Sequence, residues 1–357
     1  MLFRSSEVVI LGKTAKTLTF RGAGSQTYTV RLANNVEVTK VTTGQDGIGT
    51  ATGLQRDTKY AITLGEFEGA EATTLLVDAA DIASCFKQDD NDTTTSSGGN
   101  GTTPEKADNK NVTVTPDADG NYKITLKQDI QRTVEIPDTW ENVTLDLNMH
   151  TIKGADAVAE TTADGGNEDD GAAGTAQRAK AGLIFKTDAS ANRNPGTTLT
   201  VVNGTIQGGN GVTGMGSMDG AAGVETAAES NAPQNAKLIV GAGAKILGGN
   251  GANAKDNSGL RGGNGGFGIQ GAITVTVLEN GIVKGGNGGN GANVTADNET
   301  AQPGQGGTGG QGTEPDVTTV AGAPEGSIIN GTNGQPGTDG ETPPQPPQPP
   351  EDRKSVV

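Results

Sequence analysis

Apolar residues along this chain come in short runs, and the spacing of each run changes with position. Strict alternation marks Thr17-Leu18-Thr19-Phe20, Tyr28-Thr29-Val30-Arg31-Leu32, Val36 to Val41 and Tyr60 to Leu64. Period-two patterns bounded by Gly, Ser and Asn predict half-buried β-strands, so residues 1–87 read as a small β domain. Within it, residues 71–86 fit either a last strand or a short amphipathic helix. Residues 88–110 hold no large apolar side chain and read as a flexible acidic linker. Beyond 111, three further strand-like runs appear at Tyr122 to Leu126, Thr133 to Ile136 and Val143 to Leu147.

Three downstream blocks repeat one order of runs. A first run is Gly182 to Phe185, Gly223 to Glu225 and Gly266 to Ile269. A second is Leu199 to Val202, Leu238 to Val240 and Ile273 to Val277. A third is Thr205-Ile206-Gln207-Gly208-Gly209-Asn210-Gly211, then Lys245 to Gly251, then Ile282 to Gly288. Three strands per repeat, in constant order, is what one coil of a triangular solenoid supplies, and each coil hides its inward residues only by stacking on the next. The surplus residues, 155–181, 209–222, 249–265 and 286–312, all follow the third run. They should therefore form a ridge along one corner. Two readings fit them: mobile loops, or Gly-rich rows of polyproline-II type that hydrogen-bond sideways because no Cβ keeps them apart.

Three segments resemble known families. Leu54-Gln55-Arg56-Asp57-Thr58-Lys59-Tyr60 resembles the tyrosine corner of fibronectin type III and related Ig-like sandwiches, with Arg56 where that family has Pro. Val143 to Gly154 (VTLDLNMHTIKG) resembles a step of the right-handed parallel β-helices of the pectate-lyase-like group, with Met149 in place of the usual Gly. The Gly/Asn composition of the insertions resembles the Gly-rich tip adhesins of T-even-like phages. These resemblances imply an all-β chain: an Ig/Fn3-like docking domain (1–87), a linker (88–110), a right-handed parallel β-helix with stacked Gly-rich loops (111–313) and a Gly/Pro-rich tail (314–357). In the tail, Gly331 to Gly340 forms three collagen-like triplets or a turn-rich linker. Pro343 to Pro350 is a polyproline-II spacer or a ligand for an aromatic groove, and Glu351 to Val357 is a peptide a neighbouring subunit could capture.

Composition narrows the class. Of 357 residues, 58 are Gly, hydrophobic residues make up 32% and aromatics 3%. A large aromatic core, and with it an ordinary enzyme of this length, does not fit. Residues 1–88 are electrically neutral, so the net charge of −16 falls entirely on the remainder. That argues against nucleic acid as a partner. No run approaches a membrane span, and the N-terminus shows no signal peptide. A virion protein made in the host cytoplasm and exposed only after lysis reconciles an outward-facing composition with no export signal. The sequons at Asn142, Asn203, Asn293 and Asn330 matter only in a secretory pathway.

Candidate chemistry is sparse. Cys85 is the only cysteine and His150 the only histidine, so neither a disulfide nor a usual zinc site is expected. Asp89 to Asp92 reads as solvated linker acid rather than an EF-hand. The Gly-Gly-Asn-Gly units carry Asn where a calcium β-roll needs Asp, so no calcium site is expected either. A polysaccharide-cleaving β-helix would align acids with Arg or Lys along successive coils. The candidates are Asp146, Lys186, Asp188 and Arg193, with Asp146 read as a turn residue. No Trp or Tyr after residue 155 offers a ring to stack a sugar. The expectation is a non-enzymatic virion surface protein with no cofactor, docking through 1–87 onto other virion proteins and presenting the ridge to a host glycan or receptor, with homo-oligomers allowed. It would act as a tail fibre or as a capsid decoration or head fibre. The alternatives are a tailspike-like depolymerase and a bacterial surface adhesin.

Overall fold

The computed structural model describes residues 8–338 apart from 14–15, 56–57, 66–68, 75–77, 89–93, 98–105, 117–120, 138–139, 141, 160–176, 187–196, 214–218, 228–235, 295–301 and 320–322. The described chain is essentially all-β, with one short helix, Ala79–Ser84.

The alternating runs of the N-terminal part form two antiparallel sheets. One joins Val9–Lys13, Leu18–Arg21 and Ile48–Ala51; the other orders Glu37–Thr42, Thr27–Leu32, Lys59–Thr63 and Ala70–Thr73. Their inward residues Leu18, Phe20, Tyr28, Val30, Tyr60 and Ile62 are almost fully buried in one apolar cluster. Phe20 and Tyr28 meet edge to face, with ring centres 5.1 Å apart. The corner expected at Tyr60 is present: its hydroxyl accepts a 2.8 Å hydrogen bond from the Gln55 N–H. The Thr74 hydroxyl closes the same corner by donating to the Gln55 carbonyl at 2.6 Å.

Residues 71–86 supply both elements considered, a strand end and then the helix. Asp78 caps this helix, and the Asp78 and Asp81 side chains each accept from the other's backbone N–H. Ile82, Ala83 and Phe86 belong to the cluster formed by the downstream strands, and Phe86 stacks on Trp140 at 6.3 Å. Arg132 fixes the junction by donating to the carbonyls of Cys85 and Lys87 at 2.8 and 2.5 Å. Two buried amides do the same, Asn109 to the Ala83 carbonyl and Asn111 to that of Phe86, both at 2.8 Å.

The linker expected at 88–110 needs correction. Thr95–Ser97 and Lys106–Asp108 are strands, paired antiparallel in series onto Val112–Pro116. The helix Ala79–Ser84 packs against these strands, so polar residues here pair into the sheet without apolar periodicity of their own.

From Tyr122 onward the chain builds three ladders of parallel strands. The first joins Tyr122–Leu126, Asn142–Asp146, Thr198–Val202, Lys237–Val240, Thr274–Val277 and Thr318–Thr319. The second stacks Thr151–Lys153, Gly204–Gln207, Ala244–Leu247, Ile282–Lys284 and Ile328–Ile329. The third stacks Val134–Pro137, Leu183–Lys186, Val224–Ala227 and Ile269–Gln270. The chain visits the ladders in a fixed order, so inward residues form columns. Val143, Leu199, Leu238 and Val275 make one, and Ile152, Ile206, Ile246 and Val283 another, all buried. Each such side chain contributes ~1.5–3 kcal/mol when fully buried. The register matches the repeats read from sequence, except that Gly268 rather than Gly266 stands level with Gly223.

The tail boundary also moves. The described residues of 314–338 continue the ladders and the ridge, because Thr318–Thr319 and Ile328–Ile329 pair with the preceding coil. The Pro-rich run 343–350 and the end 351–357 lie outside the described residues.

Candidate functional site

The described parts of the insertions are ordered against one another. After the third strand of each coil the chain runs outward, through 208–211, 248–257, 285–294 and 330–338. It returns through 219–222, 260–267 and 302–311. Adjacent outward rows bond every third residue. The N–H groups of Gly248, Gly251, Ala254 and Asn257 donate to the carbonyls of Lys284, Asn287, Asn290 and Asn293. Those of Gly285, Gly288, Gly291 and Val294 donate to Ile329, Thr332, Gln335 and Thr338. A second set crosses to the return rows: Gly286 to Gly266, Gly289 to Gly263, and Ala292 to Leu260. A three-residue period is that of a polyproline-II chain, which cannot bond to itself and here bonds to neighbours on two sides. The result is a two-layer slab.

Glycine is required by closeness. A Cβ on Gly286 would stand 1.9 Å from the Gly249 carbonyl oxygen, and one on Gly289 1.9 Å from that of Ala252. The obstacle is backbone in both cases, so no side chain can swing aside.

Each triplet has a third N–H, on the solvent side, and Asn supplies its partner. The N–H groups of Asn287, Asn290 and Asn293 donate to the side-chain oxygens of Asn250, Asn253 and Asp256 at 2.9, 2.8 and 3.1 Å. Those of Thr332, Gln335 and Thr338 donate to the Oδ1 atoms of Asn287, Asn290 and Asn293 at 3.0, 2.8 and 3.0 Å. One ladder extends back through Asn210, whose Oδ1 accepts from Asn250, to Asp156, whose carboxylate accepts from Asn210. On the return layer, Asp219 accepts from Asn264, and Asn264 from Thr308. Both slab faces thus carry ladders that begin at an Asp.

Among the described residues the last row of the slab is 330–338. In an outward row the residues level with Gly285, Gly288 and Gly291 would donate to a further row; here they are Asn330, Asn333 and Pro336. Asn330 and Asn333 turn their Oδ1 atoms onto the N–H groups of Gly312 and Gly309, at 3.1 and 2.9 Å, and Pro336 has no N–H. Side chains thus cap two donors of the last return row, and proline removes one from the last outward row.

The residues considered for catalysis lie elsewhere. The Asp146 carboxylate meets Lys123 Nζ at 2.9 Å, the Asn148 N–H at 3.0 Å and Asn203 Nδ2 at 3.2 Å. Burial alone would raise its pKa, and these donors together hold it below the usual carboxylate range. Val202 stands level with it on the next coil, so no second acid stacks there. Lys186 pairs with Glu135 across the third ladder. His150 Nδ1 lies 3.3 Å from Asp129 Oδ1. Burial pushes the Cys85 thiol up, opposite to what a nucleophile needs. Asp188, Arg193 and Asp89 to Asp92 lie outside the described residues.

One acid pair escaped sequence reasoning. Glu225 and Glu314 belong to one outward column of the third ladder, beside Gln270, and Glu314 accepts from the Gly271 N–H at 2.7 Å. Burial, then the charge of Glu314, raises the Glu225 pKa. Only the register brings these distant residues together, so no local motif announced them.

Comparison with known proteins finds no matching family model, no matching curated protein and no matching solved structure. Among the described residues, no helix is long and apolar enough to cross a membrane.

Proposed function

We propose that this chain is a non-enzymatic structural and adhesive protein exposed on a phage particle. In this reading the N-terminal sheets are an Ig/Fn3-like sandwich that docks on other virion proteins. The ladders are a right-handed parallel β-helix that carries the slab outward. Parallel strands joined by crossovers are right-handed in ~98% of cases, which supports the hand. The observation that carries the reading is the slab. Its glycines, its solvent-side asparagines and its capped return edge all serve to build a large flat surface, and surface is what an adhesin or capsid decoration needs. The neutral N-terminal part beside an acidic remainder supports a division into docking and display.

The test is binding of the purified chain to particles that lack it. The expected result is saturable binding that an N-terminal fragment blocks. Binding blocked only by the ladder region would reverse the polarity, and no binding to any particle would favour a bacterial adhesin.

A depolymerase is the second reading, and the Glu225/Glu314 pair is the observation that favours it. Turnover of host capsule or O-antigen, lost in Glu225→Gln, would establish it and remove the first.

A further inference from the structure

We propose that the outward-row face of the slab binds an extended, uncharged glycan along its central ladder, with one amide to each sugar ring. This rests on the adhesive reading above and names the surface and ligand class for it.

Nine side chains form a grid on this face: Asn250, Asn253 and Asp256, then Asn287, Asn290 and Asn293, then Thr332, Gln335 and Thr338. Successive members of a row lie three residues apart, ~9.3 Å in a polyproline-II chain. Successive rows are hydrogen-bonded neighbours, so the ladder step is near the ~4.8 Å typical of laterally bonded chains. That step is close to the length of one ring in an extended β-linked glycan. A sugar chain lying along the central ladder, Asn253–Asn290–Gln335, therefore meets an amide at each residue, with Asn250, Asn287 and Asn293 beside it.

The amides are oriented in advance. Each ladder Asn spends Oδ1 on a backbone N–H of the next row, which fixes its side chain and directs Nδ2 away from that bond. A fixed donor loses little side-chain entropy when a ligand hydroxyl accepts from it. Charge selects the class. Of the nine grid positions only Asp256 is charged, on a chain of net −16. The grid is thus nearly uncharged, its one charge is negative, and the field around it disfavours acidic sugars. Without aromatic rings the contact is hydrogen-bonded and wet, so single-site affinity is weak and many copies on one surface supply avidity.

The test exploits the chain's own substitution. Asp156, Asp219 and Asp256 hold ladder positions, so Asn→Asp keeps the backbone bond and turns the outward donor into a charged acceptor. The full chain and the N287D/N290D/N293D variant are titrated with cellohexaose, chitohexaose and an oligogalacturonate. The wild type should bind a neutral hexamer and not the acidic one, and the variant should bind about tenfold more weakly or worse with an unchanged melting temperature. No binding of either neutral hexamer, preference for the acidic one, or a variant within twofold of wild type overturns the proposal. If the triple variant melts early, Asn290→Asp at the grid centre is read instead, against a threefold loss. Particle binding is measured in parallel: docking with no glycan binding sinks this inference alone, whereas loss of docking sinks the reading beneath it.

Discussion

Replacing Gly286 by Ala tests the slab between its packed rows. Gly286 donates to the Gly266 carbonyl and accepts from the Gly310 N–H, both at 2.8 Å. The added methyl would sit 1.9 Å from the Gly249 oxygen and 2.5 Å from its carbonyl carbon. Ordinary contact begins near 3.4 Å, so the rows must part by about 1.5 Å. Such a shift breaks or stretches both bonds, each worth ~0.5–1.5 kcal/mol net. Forcing a methyl into packed structure costs a further ~1–3 kcal/mol. Together these give a loss of about 2–6 kcal/mol if the slab unfolds with the ladders. Urea unfolding followed by circular dichroism measures it, with Gly12→Ala as control, since a Cβ there meets nothing within 4 Å. Amide exchange adds locality: protection should fall at Gly249, Gly266 and Gly310 before it falls at Leu199 or Leu238. A Gly286→Ala variant within ~0.5 kcal/mol of wild type, with those amides still protected, would refute close-packed rows and return the insertions to mobile loops.

Three further outcomes follow from other positions. Met149 is 83% exposed and holds φ at +67°, so Met149→Gly should stabilise the chain by about 0.5–1 kcal/mol in the same urea experiment. Glu225 has a folded pKa raised above 4.5, so its stabilising contribution is full below that value and is lost as pH rises through the folded pKa. Thermal melts of wild type should therefore fall relative to Glu225→Gln between pH 4 and neutrality, and parallel curves would remove the effect. Replacing Asn330, Asn333 and Pro336 together by Gly frees the N–H groups of Gly309 and Gly312 and adds one at 336. Sedimentation velocity should then show concentration-dependent association absent from wild type.

The strands were legible because their signal is local. Thr198-Leu199-Thr200-Val201 alternates, and neighbouring coils need only repeat it. Tyr60 was legible for the same reason, since the residues its hydroxyl ties together lie five apart. Residues 95–97 and 106–108 were not legible, because their strand character comes from pairing on Val112–Pro116 rather than from their own polar side chains. The Glu225/Glu314 pair was hidden by a separation of 89 residues along the chain. The slab lies between these cases. Its glycines showed where it is, but a polyproline-II row has no apolar periodicity, so composition alone left loops and ordered rows equally open. What decides between them is the order within the triplet. In Gly285-Gly286-Asn287 and Gly288-Gly289-Asn290, the first Gly donates to the next row and lies against the return row, the second lies against the preceding outward row, neither position has room for a Cβ, and Asn caps the row beyond. Flexible loops would place no constraint on which third residue is Asn. Gly331 to Thr338 keeps this arithmetic with Thr and Gln at the solvent positions and Gly only where the preceding outward row passes, at 331, 334 and 337. The same stretch read as collagen-like triplets because both structures demand Gly every third residue, in one against two partner chains and in the other against the chain's own earlier coils.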